Sequence, residues 1–275
     1  MTSERVRRPG PSVRTRVVEH ASGQEVARED RLITEEPLEI RVAAPGAAPR
    51  RAWVTMRTPG HDFELAAGWL VNEGVAVPGA IARVAYCTDT DLEPEQEFNV
   101  VTVNLAGAAD LPHRHVAASA GSSACGVCGK DSVSEALATR TAVPWPGERP
   151  GADVVRRLPD ALRDRQTLFD RTGGVHAAGL AEADGTLLVV REDVGRHNAV
   201  DKVVGARALA GEPVAAACLV LSGRVGFELV QKAAASGIGS IVAVGAPTSL
   251  AARLAGEAGI DLWGFTSPGR TVRYT

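Results

Sequence analysis

The 275-residue chain contains only four cysteines, no internal repeat and no long low-complexity tract. No apolar run approaches the roughly 18 residues that a membrane span needs, which excludes a transmembrane role. Neither G-x-G-x-x-G nor the Walker A sequence occurs, so a standard dinucleotide or ATP fold has no support. Four scattered cysteines do not make a secreted disulfide framework. The N-terminal stretch MTSERVRRPGPSVRTR carries five arginines but no apolar core, unlike a secretory signal. These absences lead to the expectation of a cytoplasmic protein whose thiols stay reduced. A net charge of −3 argues against general affinity for nucleic acid, and 45% hydrophobic with 23% charged residues is ordinary for a globular protein.

Apolar alternation marks four strands in the first half: PLEIRV from Pro37, RAWVTMRT from Arg51, IARVAYCT from Ile81 and FNVVTVNL from Phe98. Between the second and third, HDFELAAGWLVNEG reads as a helix with Leu65, Trp69 and Leu70 on one face and Gly74 near its end. Downstream, helical and strand patterns alternate: a helix over 153–169, strands GVHAAGLA and TLLVVRE, a helix over 195–210, strand AAACLVLS, helix GFELVQKAAAS, strand SIVAVGA, helix SLAARLAGEA and strand LWGFT. Such alternation predicts a three-layer α/β sheet. The boundaries read as a disordered basic arm over 1–30, an α+β domain over 31–116, a flexible loop over 117–132 and an α/β domain over 133–275.

The loop AASAGSSACGVCGKDS holds Cys125 and Cys128 among glycines, serines and alanines, with little around them to pack against. Free cysteine is normally buried, so this setting points to chemistry. Zinc requires about four ligands, and His113 and His115 are not fixed relative to the pair; no metal is expected. A deaminase needs H-x-E before P-C-x-x-C, but Ala178 stands where His176 would require the glutamate. A thioredoxin-type site would set the pair rigidly at a helix start. Persulfide transfer, which needs reach and exposure, fits the surroundings better, with Lys130 available beside a thiolate. Cys87 and Cys218 lie in apolar strand patterns and read as inert core residues.

Two strand-to-helix turns, at Ser222-Gly223-Arg224 and Pro247-Thr248-Ser249, belong at one sheet edge if their strands are parallel. Open α/β sheets bind ligands beyond the carboxyl ends of their strands, and helix N-termini offer free N–H groups to anions. Arg224, Thr248 and Ser249 are therefore phosphate-holding candidates, although Thr248 and Ser249 also read as helix caps. The polar run REDVGRHNAVDK places His197 and Asp201 on one helical face, either as a ligand grip or as a solvated surface.

The motifs SSACGVCGK, REDVGRHNAVDK, LVLSGRVGFELVQKAA, GAPTSLA and GFTSPGRTVRYT resemble the FdhD family of formate dehydrogenase accessory sulfurtransferases, from about residue 30 to the C-terminus. The resemblance implies a sulfur carrier that takes persulfide sulfur from a cysteine desulfurase. It would transfer that sulfur to the molybdenum bis(molybdopterin guanine dinucleotide) cofactor of formate dehydrogenase. It also implies a homodimer whose C-terminal three-layer domain has a cytidine-deaminase-like fold without zinc chemistry. The family's persulfide cysteine falls on Cys125, with Cys128 as its partner. Its cofactor-binding segment falls on Phe265, Thr266, Ser267, Pro268, Gly269 and Arg270, where Ser267 replaces an arginine found in many members. A non-catalytic cofactor chaperone and a dithiol oxidoreductase are the alternative functions.

Overall fold

The computed structural model describes residues 8–88, 92, 96–107 and 144–275. Cys125, Cys128, His113, His115 and Lys130 lie outside the described residues. The chain opens with a hairpin of β1 (Ser12–Ala21) and β2 (Gln24–Ile33). A small α+β unit follows: β3 (Glu36–Ala43), β4 (Arg50–Arg57), α1 (Asp62–Asn72), β5 (Ile81–Tyr86) and β6 (Val100–Leu105). Its four-stranded sheet has the order β4-β3-β6-β5, and Leu65, Trp69 and Leu70 of α1 join Leu38, Ile40, Val101 and Val103 in its core. Trp53 and Trp69 stack with ring centroids 5.2 Å apart.

The C-terminal unit begins with α2 (Ala152–Arg163), α3 (Thr167–Thr172), β7 (His176–Ala181), β8 (Leu187–Asp193) and α4 (Arg196–Leu209). It continues with β9 (Cys218–Leu221), α5 (Phe227–Ala235), β10 (Ser240–Ala243), α6 (Ser249–Glu257), β11 (Asp261–Ser267) and β12 (Arg270–Arg273). The strand order is β12-β11-β10-β9-β7-β8, with β9, β10 and β11 parallel and the outer strands antiparallel. Helices α4, α5 and α6 cover one face through Val203, Leu229 and Leu254, while α2 covers the other through Val155, Leu158 and Leu162. Burial on both sides explains why β9, CLVL, and β10, SIVA, lack polar alternation.

Three differences from the sequence reading have local causes. Residues 12–33 form a ten-rung antiparallel hairpin rather than a disordered arm. Ser22 and Gly23 both take positive φ, at 53° and 75°, which closes a two-residue turn matching the strand twist. Ion pairs Arg28–Glu19 at 2.6 Å and Arg14–Glu29 at 3.2 Å tie the strands across their exposed faces. The helix expected over 153–169 divides because Glu192, on β8, accepts hydrogen bonds at 2.8 Å from the backbone N–H groups of Leu168 and Phe169, starting α3 afresh. Cys87 is half-buried rather than core: Arg41 Nη1 lies 3.7 Å from its Sγ. Cys218 is fully buried, and burial raises its thiol pKa.

The two units meet where α1 crosses α4. A Cβ at Gly68 would lie 1.8 Å from the Asp201 carbonyl oxygen, and one at Gly205 would lie 1.8 Å from the Glu64 carbonyl oxygen. Only glycine permits that approach. Polar groups line the same seam. Asp201 is fully buried, accepts from Lys232 Nζ at 2.9 Å and from Asn72 Nδ2 at 2.6 Å, while Ser236 donates to Asn72 Oδ1 at 2.6 Å. Burial opposes both charges of the pair, and the carboxylates of Asp201 and Glu73 hold Lys232 above its ordinary pKa. Arg191 and Glu64 add a bidentate pair from β8 to α1.

Candidate functional site

Parallel pairing of β9, β10 and β11 brings their following turns to one edge, and backbone hydrogen bonds then join the turns into a continuous ledge. Gly245 N–H donates to Gly223 at 3.0 Å, and Phe265 N–H donates to Gly245 at 3.1 Å. Val225 N–H donates to Ala246 at 3.1 Å, and Thr248 N–H donates to Val225 at 3.0 Å. A side chain at Gly245 would collide with the Gly223 carbonyl and Arg224 N, each 2.9 Å away, so the turns can be this close only with glycine there.

Arg224, Thr248 and Ser249 therefore share the edge that their turn positions predicted, and Phe265 with the following turn through Arg270, the segment marked by the family resemblance, lies at the same edge. Their roles differ. Arg224 and Arg270 are exposed and can reach an anion. Thr248 caps α6, its hydroxyl accepting from Ala251 N–H at 3.2 Å, so its side chain is already used as the simpler reading allowed. Ser249 opens α6 and is exposed. Thr266 is buried, and its hydroxyl meets that of Thr271 at 3.0 Å. Ser267, Pro268 and Gly269 form the exposed turn into β12. Phe265 adopts φ 49°, a conformation strained for a bulky residue, and is 44% exposed with Arg270 5.4 Å above its ring. A flat aromatic beside a guanidinium is chemically suited to a planar heterocycle bearing phosphates.

The REDVGRHNAVDK run divides between two tasks. Asp193, Asn198, Asp201 and Lys202 are buried and bind the N-terminal unit: Lys202 contacts the Thr58 carbonyl at 3.0 Å and Asp193 at 2.6 Å, while Asn198 donates to the Met56 carbonyl at 2.8 Å. Asp201 is consequently a seam residue and does not share a ligand-gripping face with His197. Arg196 and His197, in the first turn of α4, stay with the ledge. His197 Nε2 lies 3.9 Å from Glu228 of α5. Burial raises the Glu228 pKa, but His197 and Arg196 outweigh it and lower the carboxyl below its usual range.

His176 completes this corner. Its ring packs over Gly223, where a Cβ would be 3.3 Å from Nδ1. Burial, then the positive charges of Arg196 and His197, push its pKa down despite Asp193. In the sequence His176 stands out only as a failed deaminase ligand and Glu228 not at all, because its place beside His197 depends on packing between α4 and α5. Among the described residues, no group of three or more His, Cys, Asp or Glu is arranged to hold a metal ion, and no helix is long and apolar enough to cross a membrane.

Residues 33–275 match the model of the FdhD/NarQ family. The chain belongs to the FdhD/NarQ family. Among the relatives of this FdhD/NarQ chain, the sulfur carrier protein FdhD of Streptomyces coelicolor is 46% identical over 264 residues, covering 92% of this chain and 89% of the relative. That of Nocardia farcinica is 44% identical over 257 residues, with the same two shares. The sulfur carrier protein FdhD of Thermoplasma volcanium is 38% identical over 237 residues, covering 85% of this chain and 83% of its own. The fold of the FdhD/NarQ chain also matches a crystal structure of a provisionally assigned formate dehydrogenase accessory protein from Desulfotalea psychrophila. The TM-score is 0.72 at 23% identity, over 96% of each chain.

Proposed function

We propose that this protein is a sulfur carrier for formate dehydrogenase maturation, with Cys125 as the persulfide-bearing residue and Cys128 as an auxiliary thiol. The Cys125 thiolate would attack the outer sulfur of a cysteine desulfurase persulfide. Its S–S bond breaks, the desulfurase thiol leaves, and the sulfur remains on Cys125. The recipient is the molybdenum bis(molybdopterin guanine dinucleotide) cofactor, bound as a client at the carboxyl edge of the C-terminal sheet. Formate dehydrogenase receives the sulfurated cofactor, and the working protein is a cytoplasmic homodimer.

The observation that carries the cofactor assignment is the hydrogen-bonded ledge uniting the turns at Gly223, Gly245 and Phe265. Arg224 and Arg270 supply charge there, and the start of α6 supplies backbone donors, which together suit a diphosphate. Phe265 supplies a flat exposed surface for the base.

Two measurements test the two halves. Incubation with a cysteine desulfurase and cysteine should add the mass of one sulfur atom to wild type but not to Cys125→Ala, which should also fail to activate formate dehydrogenase. Full activation by that variant would end the carrier mechanism. Calorimetric titration with GDP should show affinity reduced about tenfold or more in Arg224→Ala, the loss expected for a charge-assisted hydrogen bond. Equal affinities would place the phosphates elsewhere.

A further inference from the structure

The corner formed by His176, Arg196, His197 and Glu228 has an unusual distribution of partners. His176 stands opposite Asp193 in the β7–β8 register, yet the Asp193 carboxylate is already committed. Its Oδ1 accepts from Gly195 N–H at 2.8 Å and Asn198 Nδ2 at 3.0 Å, and its Oδ2 from Thr58 N–H at 3.2 Å, with Lys202 Nζ at 2.6 Å. Glu228 is engaged with His197. The positive neighbours of His176 are Arg196 and His197. Arg196 Nε is buried and has no hydrogen-bond partner among the described residues. Among the described residues the carboxylates of this corner are thus engaged elsewhere, and burial together with Arg196 and His197 holds the His176 pKa below its ordinary value, which leaves the imidazole neutral at pH 7.

A diphosphate arriving at Gly223 would supply that missing negative charge. We propose that His176 takes up one proton as the diphosphate arm of a nucleotide ligand binds, converting a neutral imidazole into a cationic phosphate ligand. This inference rests on the cofactor-seat reading above. The proton comes from solvent, no covalent bond changes, and the new imidazolium donates to a phosphate oxygen. Arg196 contributes its unused donor beside it.

The linkage has a definite sign. Bound phosphate raises the His176 pKa above its depressed free value, so affinity increases as pH falls through the interval between the free and bound values. With one proton involved, affinity changes by about tenfold per pH unit inside that interval.

The test is calorimetry of the full chain with GDP and with inorganic pyrophosphate at pH 7, in buffers of different ionisation enthalpy. Wild type should take up about one proton more per bound ligand than His176→Gln. The difference removes the ligand's own phosphate titration, which both proteins share. In wild type, the His176 imidazole should change from the neutral to the cationic NMR signature on saturation, a readout independent of whether the variant folds. Equal proton uptake, or an imidazole that stays neutral when GDP is bound, would overturn the proposal while leaving the cofactor seat standing. Failure of wild type to bind either ligand at any pH would overturn both.

Discussion

Helix α4 belongs to two environments that use polar groups in opposite ways. In the seam, Asp201 and Lys202 are buried, each with close partners of defined geometry, and α1 crosses within backbone contact at Gly68 and Gly205. At the ledge one turn earlier, Arg196 keeps a buried Nε without a partner among the described residues, and Phe265, further along the same ledge, holds a strained φ while exposed. The seam is saturated and closed. The ledge holds an unfulfilled donor and stored strain, the combination expected where a ligand must complete the structure. Adjacent residues of one motif thus serve cohesion and recognition.

The largest effect should come from breaking the seam. Asp201→Ala leaves Lys232 buried with, among the described residues, only Glu73 3.4 Å away, and should destabilise the protein by about 3 to 5 kcal/mol. Urea unfolding measures it. Replacing the pair together, as Asp201→Leu with Lys232→Met, should cost much less, because no lone charge remains; equal losses would show that shape rather than charge holds the seam.

Acid should weaken the seam next. Burial raises the Glu64 pKa, but Arg191 and His61 overcome it and bring the carboxyl down to about 2. The folded value therefore lies below the unfolded one of roughly 4.3, so the contribution is complete above pH 4.3 and disappears as pH falls toward 2. Its size should be on the order of 2 kcal/mol after allowance for solvent screening. Arg191→Ala should flatten this part of the stability profile; an unchanged acid limb would assign the loss to other carboxylates.

The smallest stability effect is expected at the ledge. Phe265→Gly relieves the positive-φ strain and removes an exposed ring, so stability should stay unchanged or rise by about 1 kcal/mol. GDP binding should nevertheless weaken. A variant that lost stability and kept its affinity would reverse the contrast between the two regions.

Much of the architecture was written in hydrophobic period. The alternation of β3 to β6, the apolar runs of β9 and β10, and the faces of α1 and α5 all follow from side chains that must be buried. The parallel order of β9 to β11 then places Arg224 and Thr248 at one edge, as the turn positions implied, and brings to it Phe265, which only the family resemblance had marked. The hairpin of β1 and β2 was obscured by arginine and glutamate, which normally suggest a solvated tail; its signal was the Ser22-Gly23 turn between strands of complementary charge. The division of REDVGRHNAVDK was not legible, because helical spacing gives His197 and Asp201 a shared face but cannot show that α1 covers one end of it. Glu228 and His176 became recognisable only through neighbours distant in sequence.

The crossing of α1 and α4 also affects how the chain is made. Glu64 and its partner Arg191 are 127 residues apart, a gap that takes roughly 6 to 25 s to synthesise at 5 to 20 residues per second. During that interval the ribosome holds an N-terminal unit whose helix surface at Gly68, with Asn72 and Glu64 beside it, has nothing to receive it. The native seam can form only after α4 has emerged. Translation speed and chaperone supply should therefore influence the yield of active protein more strongly than the stability of the finished fold would suggest.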